Sequence, residues 1–329
     1  MKFSTVVCYL YIIIALFIQK LHSQNHMFCK FCKKSIISKY VIFKNSSYHT
    51  GCYEKNIQLK CDYCKKIING EYSISNNSNY HKLCYKDNIL EKCNICHLPI
   101  ETIYILDSWN NIYHKKHSFK LPSCESCNRL ISKGTTDGGY QINGNRHICA
   151  ICWDFVVMHK SEISLIYEDV RLRLNEVGIL NLPKTIPITL VETKNDLKRK
   201  SKIKHGNIHG YTKYEFETLG NIKISENFYI YILSHLHEVD FRAVLAHELL
   251  HVYLFINDIN VPMDITEGFC NLGSKIIYEK DKSKIAGLKL TNMYENKDPI
   301  YGKGFLKVDE ILTTAGWEGV LEYLRRKSK

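Results

Sequence analysis

The sequence predicts an α+β protein in which tandem zinc-binding modules precede a domain built from a small sheet packed on helices. Three observations carry that prediction. Cysteine and histidine recur in pairs from Cys29 to Cys152, apolar residues repeat at helical spacing around a His-Glu-x-x-His run at 247–251, and stretches of alternating strand type lead into that run. A chain of 329 residues with 45% hydrophobic content has room for about two folded domains. The formal net charge is +12. With twelve cysteines as thiolates on four structural zinc ions, and a fifth zinc elsewhere, the net charge becomes about +10. The lysines are spread along the chain rather than gathered on one element, which argues against a nucleic-acid partner.

In chain order, Met1-Lys2 is followed by an apolar run at 6–18 and then by Gln19, Lys20, Leu21, His22 and Ser23. Residues 1–23 read as a signal peptide with a small residue, Ser23, at the cleavage position, and hence as an address for export to a periplasm or the exterior. The alternative is an uncleaved membrane anchor through residues 6–18. Lysines 20, 30, 33 and 34 outnumber Lys2 ahead of the run, which suits an anchor with a cytoplasmic body, but thirteen residues are short for a span. Export of so many thiols requires zinc to bind early or the receiving space to be poorly oxidising.

Next come four repeats. Cys29, Cys32, His49 and Cys52 form the first, Cys61, Cys64, His81 and Cys84 the second, Cys93, Cys96, His114 and His117 the third, and Cys124, Cys127, Cys149 and Cys152 the fourth. The two pairs of a unit are separated by 16, 16, 17 and 21 residues. That spacing lets a tight knuckle and a hairpin or helix end meet around a tetrahedral zinc. A disulfide framework is the competing reading for an exported chain, yet it leaves the histidines at ligand positions without a purpose. Sixteen ligands complete four closed sites, which are structural because no position is left for water. Only Cys8 and Cys270 remain over. Units of this size bury little core, so the metal supplies stability that area cannot. Tyr40, Tyr48, Tyr72, Tyr80, Tyr104 and Tyr113 fall on the hairpins and are expected to pack beside the knuckles.

These units resemble LIM domains, in which two zinc units pack in tandem. The third and fourth come closest, although six residues separate His117 from Cys124 where a LIM domain has two. The expected boundaries are modules one and two at 24–88, modules three and four at 89–153, and a second domain at 154–329.

In that domain, residues 153–177 read as one long amphipathic helix, 186–191 as a strand, and 195–210 as a solvated basic loop. Residues 211–225 and 228–236 read as strands. The stretch 241–256, FRAVLAHELLHVYLFI, is apolar nearly all round and therefore buried. His247 and His251, four residues apart, project from one helix face and can close on a single Zn²⁺, with Glu248 beside them to take a proton from an attacking water. A hydrolytic zinc needs a third protein ligand and one open position. Glu267 is the candidate, with Asp264 as rival. It opens a helical segment at 266–280 that Thr266 can cap, and a turn at 257–262 folds that helix back so that Glu267 reaches the histidines. Residues 304–327 read as helices interrupted near Gly316. Tyr301 is a candidate oxyanion donor, in competition with Tyr294 and His237.

From about residue 153 onward the stretches IPITLVET, YIYILSHL, AVLAHELLHVYLFIN, ITEGFCNL and DPIYGKGF resemble the catalytic domain of the plant LIM-domain metallopeptidases that restrict organ growth, and their bacterial relatives. The resemblance implies a gluzincin-like zinc endopeptidase, with His247, His251 and Glu267 as ligands of one catalytic zinc and Glu248 as base. It also implies a protein or peptide substrate, with LIM-like modules that bind substrate or partner. The plant members carry ubiquitin-interacting motifs where this sequence has its apolar leader, so ubiquitin control does not transfer. A non-catalytic LIM-type scaffold is the alternative.

Overall fold

The computed structural model describes residues 27–201, 208–220 and 222–328, and the leader expected at 1–23 lies outside the described residues. Among the described residues no helix is long and apolar enough to cross a membrane. Among the described residues the fold is mixed α+β, with four clusters of four Cys/His ligands each, five small sheets and a helical body. It divides into two compact units. The first runs to Lys92 and takes in Pro99–Glu101; the second comprises Cys93–Leu98 and Thr102–Lys329, so the boundary expected at 153/154 falls inside it.

In the first unit the chain makes the same knuckle twice. The amide of Cys29 donates to the Lys34 carbonyl while that of Lys33 donates back to the Cys29 carbonyl, and Cys61, Lys65 and Lys66 repeat the pattern. Lys33 and Lys65 stand at φ 62 and 61, the left-handed turn that closes each loop. A hairpin follows each knuckle. β1 (Tyr40–Phe43) pairs with β2 (Ser46–His49), and β3 (Tyr72–Ser75) with β4 (Ser78–His81). Their two-residue turns, Lys44-Asn45 and Asn76-Asn77, have positive φ at both positions, the twist that suits a tight hairpin. Each hairpin ends on a ligand histidine and runs straight into a short helix, α1 (Thr50–Asn56) or α2 (Lys82–Asn88), that presents the last cysteine. Tyr48 and Tyr80 pack on Tyr53 and Tyr85, as expected of the hairpin aromatics. Tyr40 and Tyr72 do not: they are exposed, because a two-stranded ribbon covers only one of its faces.

The second unit opens with β5 (Tyr104–Leu106), β6 (Ile112–His114) and a 3-10 turn at Lys115–Phe119. After α3 (Lys133–Thr136), β7 (Gly139–Ile142) pairs with β8 (Arg146–Cys149), and α4 (Ala150–Trp153) carries Cys152. The fourth cysteine cluster is not a separate bead. Cys124, Cys127, Ile148, Cys149 and Cys152 belong to the same apolar core as the helices that follow. Polar contacts extend the join: Arg146 reaches Glu125 at 2.6 Å and the Glu192 carbonyl at 3.3 Å, and Lys194 reaches Glu125 at 2.6 Å.

Four expectations change here. The helix expected over 153–177 is broken: α4 stops at Trp153 and α5 (Lys160–Glu176) starts afresh, because Glu162 folds back to cap the His159 amide. After β9 (Ile188–Val191) the basic stretch forms a helix, α6 (Lys194–Ser201). Thr193 and Asp196 exchange hydrogen bonds at its start, and fully buried Leu197 anchors it. The strands are β10 (Gly210–Leu219) and β11 (Ile222–Leu233), since Gly220 at φ 63 turns the chain earlier than alternation suggested. Finally, α8 (Met263–Lys280) begins a turn before Thr266, with Pro262 rather than Thr266 at its cap, so Glu267 sits in its second turn.

β10 pairs antiparallel with β11, which pairs parallel with β9, so β10 is an edge. The first residues of β10 lie against α7 (Glu238–Ile256), where the Thr212 hydroxyl donates to the Glu248 carbonyl at 3.1 Å. α7 buries twelve residues, among them Phe241, Leu245, Leu249 and Leu250, each worth about 1.5–3 kcal/mol of burial. α8 returns antiparallel to it, since Ser274 meets Ala243, Asn271 meets His247 and Glu267 meets His251. Gly273 permits this approach: a Cβ there would stand 2.8 Å from the Ala246 carbonyl oxygen. α9 (Lys284–Glu295) and α10 (Tyr301–Lys327) complete the body, with α10 interrupted at Gly316 (φ 67).

Candidate metal centres and active site

In each of the four repeats the ligand atoms gather within 4.8 Å: Cys29, Cys32, His49 and Cys52; Cys61, Cys64, His81 and Cys84; Cys93, Cys96, His114 and His117; Cys124, Cys127, Cys149 and Cys152. These clusters can bind zinc. No described cysteine is in a disulfide. The first two units also define which imidazole nitrogen faces the metal. Nδ1 of His49 lies 3.4 Å from Cys32 Sγ while its Nε2 meets the Ser35 carbonyl at 3.1 Å, and His81 repeats this with Cys64 and Ile67. An Nε2–H donating to a carbonyl leaves Nδ1 as a lone-pair donor. In the third unit Nε2 of His117 is buried without a hydrogen-bond partner, a polar atom that a cation would satisfy.

The second centre forms where α7 and α8 cross. Nε2 of His247 and Nε2 of His251 lie 3.3 Å apart, and the Glu267 carboxylate faces both, at 3.2 Å and 3.8 Å. Burial, and then the neighbouring His247 charge, push the His251 pKa down to about 4, so its ring is neutral and its lone pair free at pH 7. His247 goes the other way: burial opposes its charge, but the hydrogen bond and charge of Glu267 win and raise its pKa. Two imidazoles and a carboxylate converging on one point are a donor set suited to zinc.

Glu248 is buried beside this group, and burial pushes its carboxyl up to about 7. The Thr212 hydroxyl donates to its Oε2 at 2.7 Å. Gly210, also on β10, leaves room for the carboxylate; a Cβ there would stand 2.4 Å from Glu248 Oε1. Asn271 orients the other side. Its Oδ1 lies 3.1 Å from His247 Nδ1, and its Nδ2 donates to the Tyr301 carbonyl at 3.0 Å. None of Thr212, Gly210 and Asn271 stood out in the sequence. Asn271 had a signal, since it falls four residues after Glu267 on the same helix face. The other two sit on a strand whose approach to α7 is long-range.

The rivals are placed elsewhere. Asp264 pairs with Lys307 at 3.2 Å. Tyr294 donates to Asp309 at 3.0 Å, and His237 caps α7 by accepting from the Val239 amide. Tyr301 begins α10 next to the centre; burial, then the Glu267 charge, push its hydroxyl up to about 12, so it stays a donor. Cys270 is fully buried, with Sγ within 4.8 Å of ligand atoms of both histidines.

No family model matches the chain. A curated relative does. Protein DA1-related 7 of Arabidopsis thaliana is 23% identical over 285 residues, covering 67% of this chain. The match takes in 50% of that protein, so the chain spans about half the length of the relative it resembles. The homology is distant, and together with the four Cys/His clusters it supports LIM-like zinc modules.

Proposed function

We propose that residues 154–329 form a zinc-dependent endopeptidase and that the LIM-like modules recruit or orient its protein substrate. The observation that carries the reading is the convergence of two Nε2 atoms and one carboxylate, with a second, buried carboxylic group, Glu248, at their side. His247, His251 and Glu267 would hold the zinc, which when bound polarises the scissile carbonyl and acidifies water. Glu267 is preferred over Cys270 as third ligand because its oxygens lie 3.2 Å and 3.8 Å from the two Nε2 atoms and burial holds the Cys270 thiol protonated.

Glu248 acts as the base. It takes a proton from the attacking water and later delivers it to the leaving amine. Thr212 holds the carboxylate by its Oε2, which leaves Oε1 for the proton. Asn271 fixes the His247 ring, so its Nε2 points inward. Tyr301 donates to the oxygen that gains charge as the carbonyl carbon becomes tetrahedral. Tyr301→Phe is expected to lower kcat about 10²-fold with KM and zinc content little changed. An unaltered kcat would remove Tyr301 from the reaction.

Export through residues 1–23 belongs to the same reading. Amino-terminal sequencing of the mature chain is expected to begin at Gln24, whereas an intact Met1 on a membrane-bound chain would establish the anchor instead.

One observation favours a non-catalytic scaffold: Cys270 stands near enough that four donors can close the site and leave no position for water. Cobalt substitution separates the two. A thiolate charge-transfer band weaker in Cys270→Ser than in the unsubstituted chain, above the contribution of the twelve cysteines in the four clusters, would establish the closed site, and equal intensity in the two keeps the open one.

A further inference from the structure

A cavity of about 290 Å³ opens beside His251, lined by Leu254, Phe255, Ile259, Val261 and Met263, with Asn260 and Thr266 as its other polar neighbours. It lies where the end of α7, the connecting turn and the first turn of α8 meet. Leu254 and Val261 are buried and form its floor, Phe255 and Ile259 are half-buried walls, and Met263, 56% exposed, stands at its mouth. No charged side chain lines it. The volume suits a leucine, methionine or phenylalanine side chain, and a charged one would lose its hydration with no counter-charge to replace it. His251, which faces Glu267 at 3.8 Å, and Thr266, which precedes Glu267 in sequence, connect the cavity to the metal centre.

We propose that this cavity is a specificity pocket: it takes a large apolar side chain of an extended peptide lying across His247, His251 and Glu267, and excludes acidic and basic ones. Phe255 is held in place from the other side by the Tyr214 ring, stacked on it at 4.7 Å, and Tyr214 in turn stacks on Phe228 of the neighbouring strand. The wall is therefore rigid, and discrimination comes from shape and desolvation rather than from a mobile loop. The proposal rests on the peptidase reading, because that reading supplies the peptide.

The test uses the zinc-loaded full chain carrying Glu248→Gln and a series of acetylated, amidated peptides identical except for one residue, which is leucine, phenylalanine, aspartate or lysine. Affinities are read by titration calorimetry, and hydrolysis of the same series is read with the unsubstituted chain. The apolar peptides are expected to bind at least tenfold tighter than the charged ones. Met263→Glu, at an exposed position where folding is not at risk, and Ile259→Asp, in the wall, are each expected to abolish that ratio and to favour the lysine peptide. Equal affinities across the series, no measurable binding of any peptide, or a ratio that neither substitution changes would overturn the pocket. Selective binding without hydrolysis by the unsubstituted chain would keep the pocket and sink the peptidase reading.

Discussion

Glu248→Gln lowers peptide turnover about 10³- to 10⁴-fold while the chain keeps its zinc, on the reading that this side chain moves the proton. Glutamine fills the same volume and still accepts from Thr212, so the packing of α7 against β10 is retained. It cannot take a proton. The carboxyl is suited to the exchange because burial has already raised it to about 7, where it can both accept from water and give to an amine near neutral pH. A cation at the neighbouring histidines would favour the carboxylate and draw this value down, so the loaded chain should hold Glu248 as the base at pH 7. Turnover by Glu248→Gln at more than a tenth of the normal rate, with zinc content unchanged, would exclude this mechanism. The measurement is a pair: initial rates on a fluorogenic peptide and metal analysis of the same samples.

Metal removal has the second large effect, and its size should differ between sites. His247→Ala with His251→Ala is expected to reduce about five zinc ions per chain to about four while the helices stay folded. In Cys149→Ser with Cys152→Ser, by contrast, the second unit should lose cooperative unfolding. The reason lies in the core: Cys124, Cys127, Cys149 and Cys152 are buried and continuous with Ile163, Val170, Leu236 and Val239 of the helical body. A structural zinc contributes on the order of 10 kcal/mol, more than most domains have to spare. The buried Arg146 and the half-buried Glu125, paired at 2.6 Å, would then be exposed to a loosened surface on one side. Circular dichroism during thermal unfolding reads the outcome. A sharp transition preserved in the cysteine variant would show that the fourth cluster is dispensable to this core. A zinc count of four in both the unsubstituted chain and the histidine variant would mean that α7 binds no metal, and the scaffold reading would then replace the peptidase.

Local chemistry was legible from the chain itself. Cysteine and histidine at fixed short spacing determine the four knuckles, because each ligand pair is closed by two residues of backbone and needs no distant partner to take its shape. His247, Glu248 and His251 were legible for the same reason, since one helical turn sets their face. The basic helix α6 could have been read too: Thr193 and Asp196 make a capping pair, but the charge of Lys198, Arg199 and Lys200 masked the single buried anchor, Leu197.

What the tertiary structure decided are the meetings of elements far apart in sequence. Glu267 faces the histidines only because α8 runs back along α7 at a distance that Gly273 permits, and Asn271 and Tyr301 take their places from the same crossing. Thr212 and Gly210 reach Glu248 across 36 and 38 residues of chain, through the edge of a sheet whose register no local pattern encodes. The fusion of the fourth zinc cluster with the helical core is of this kind as well. A zinc unit specifies its own ligands by spacing, but which apolar surface it is buried against is determined by the shapes of all the elements packed together.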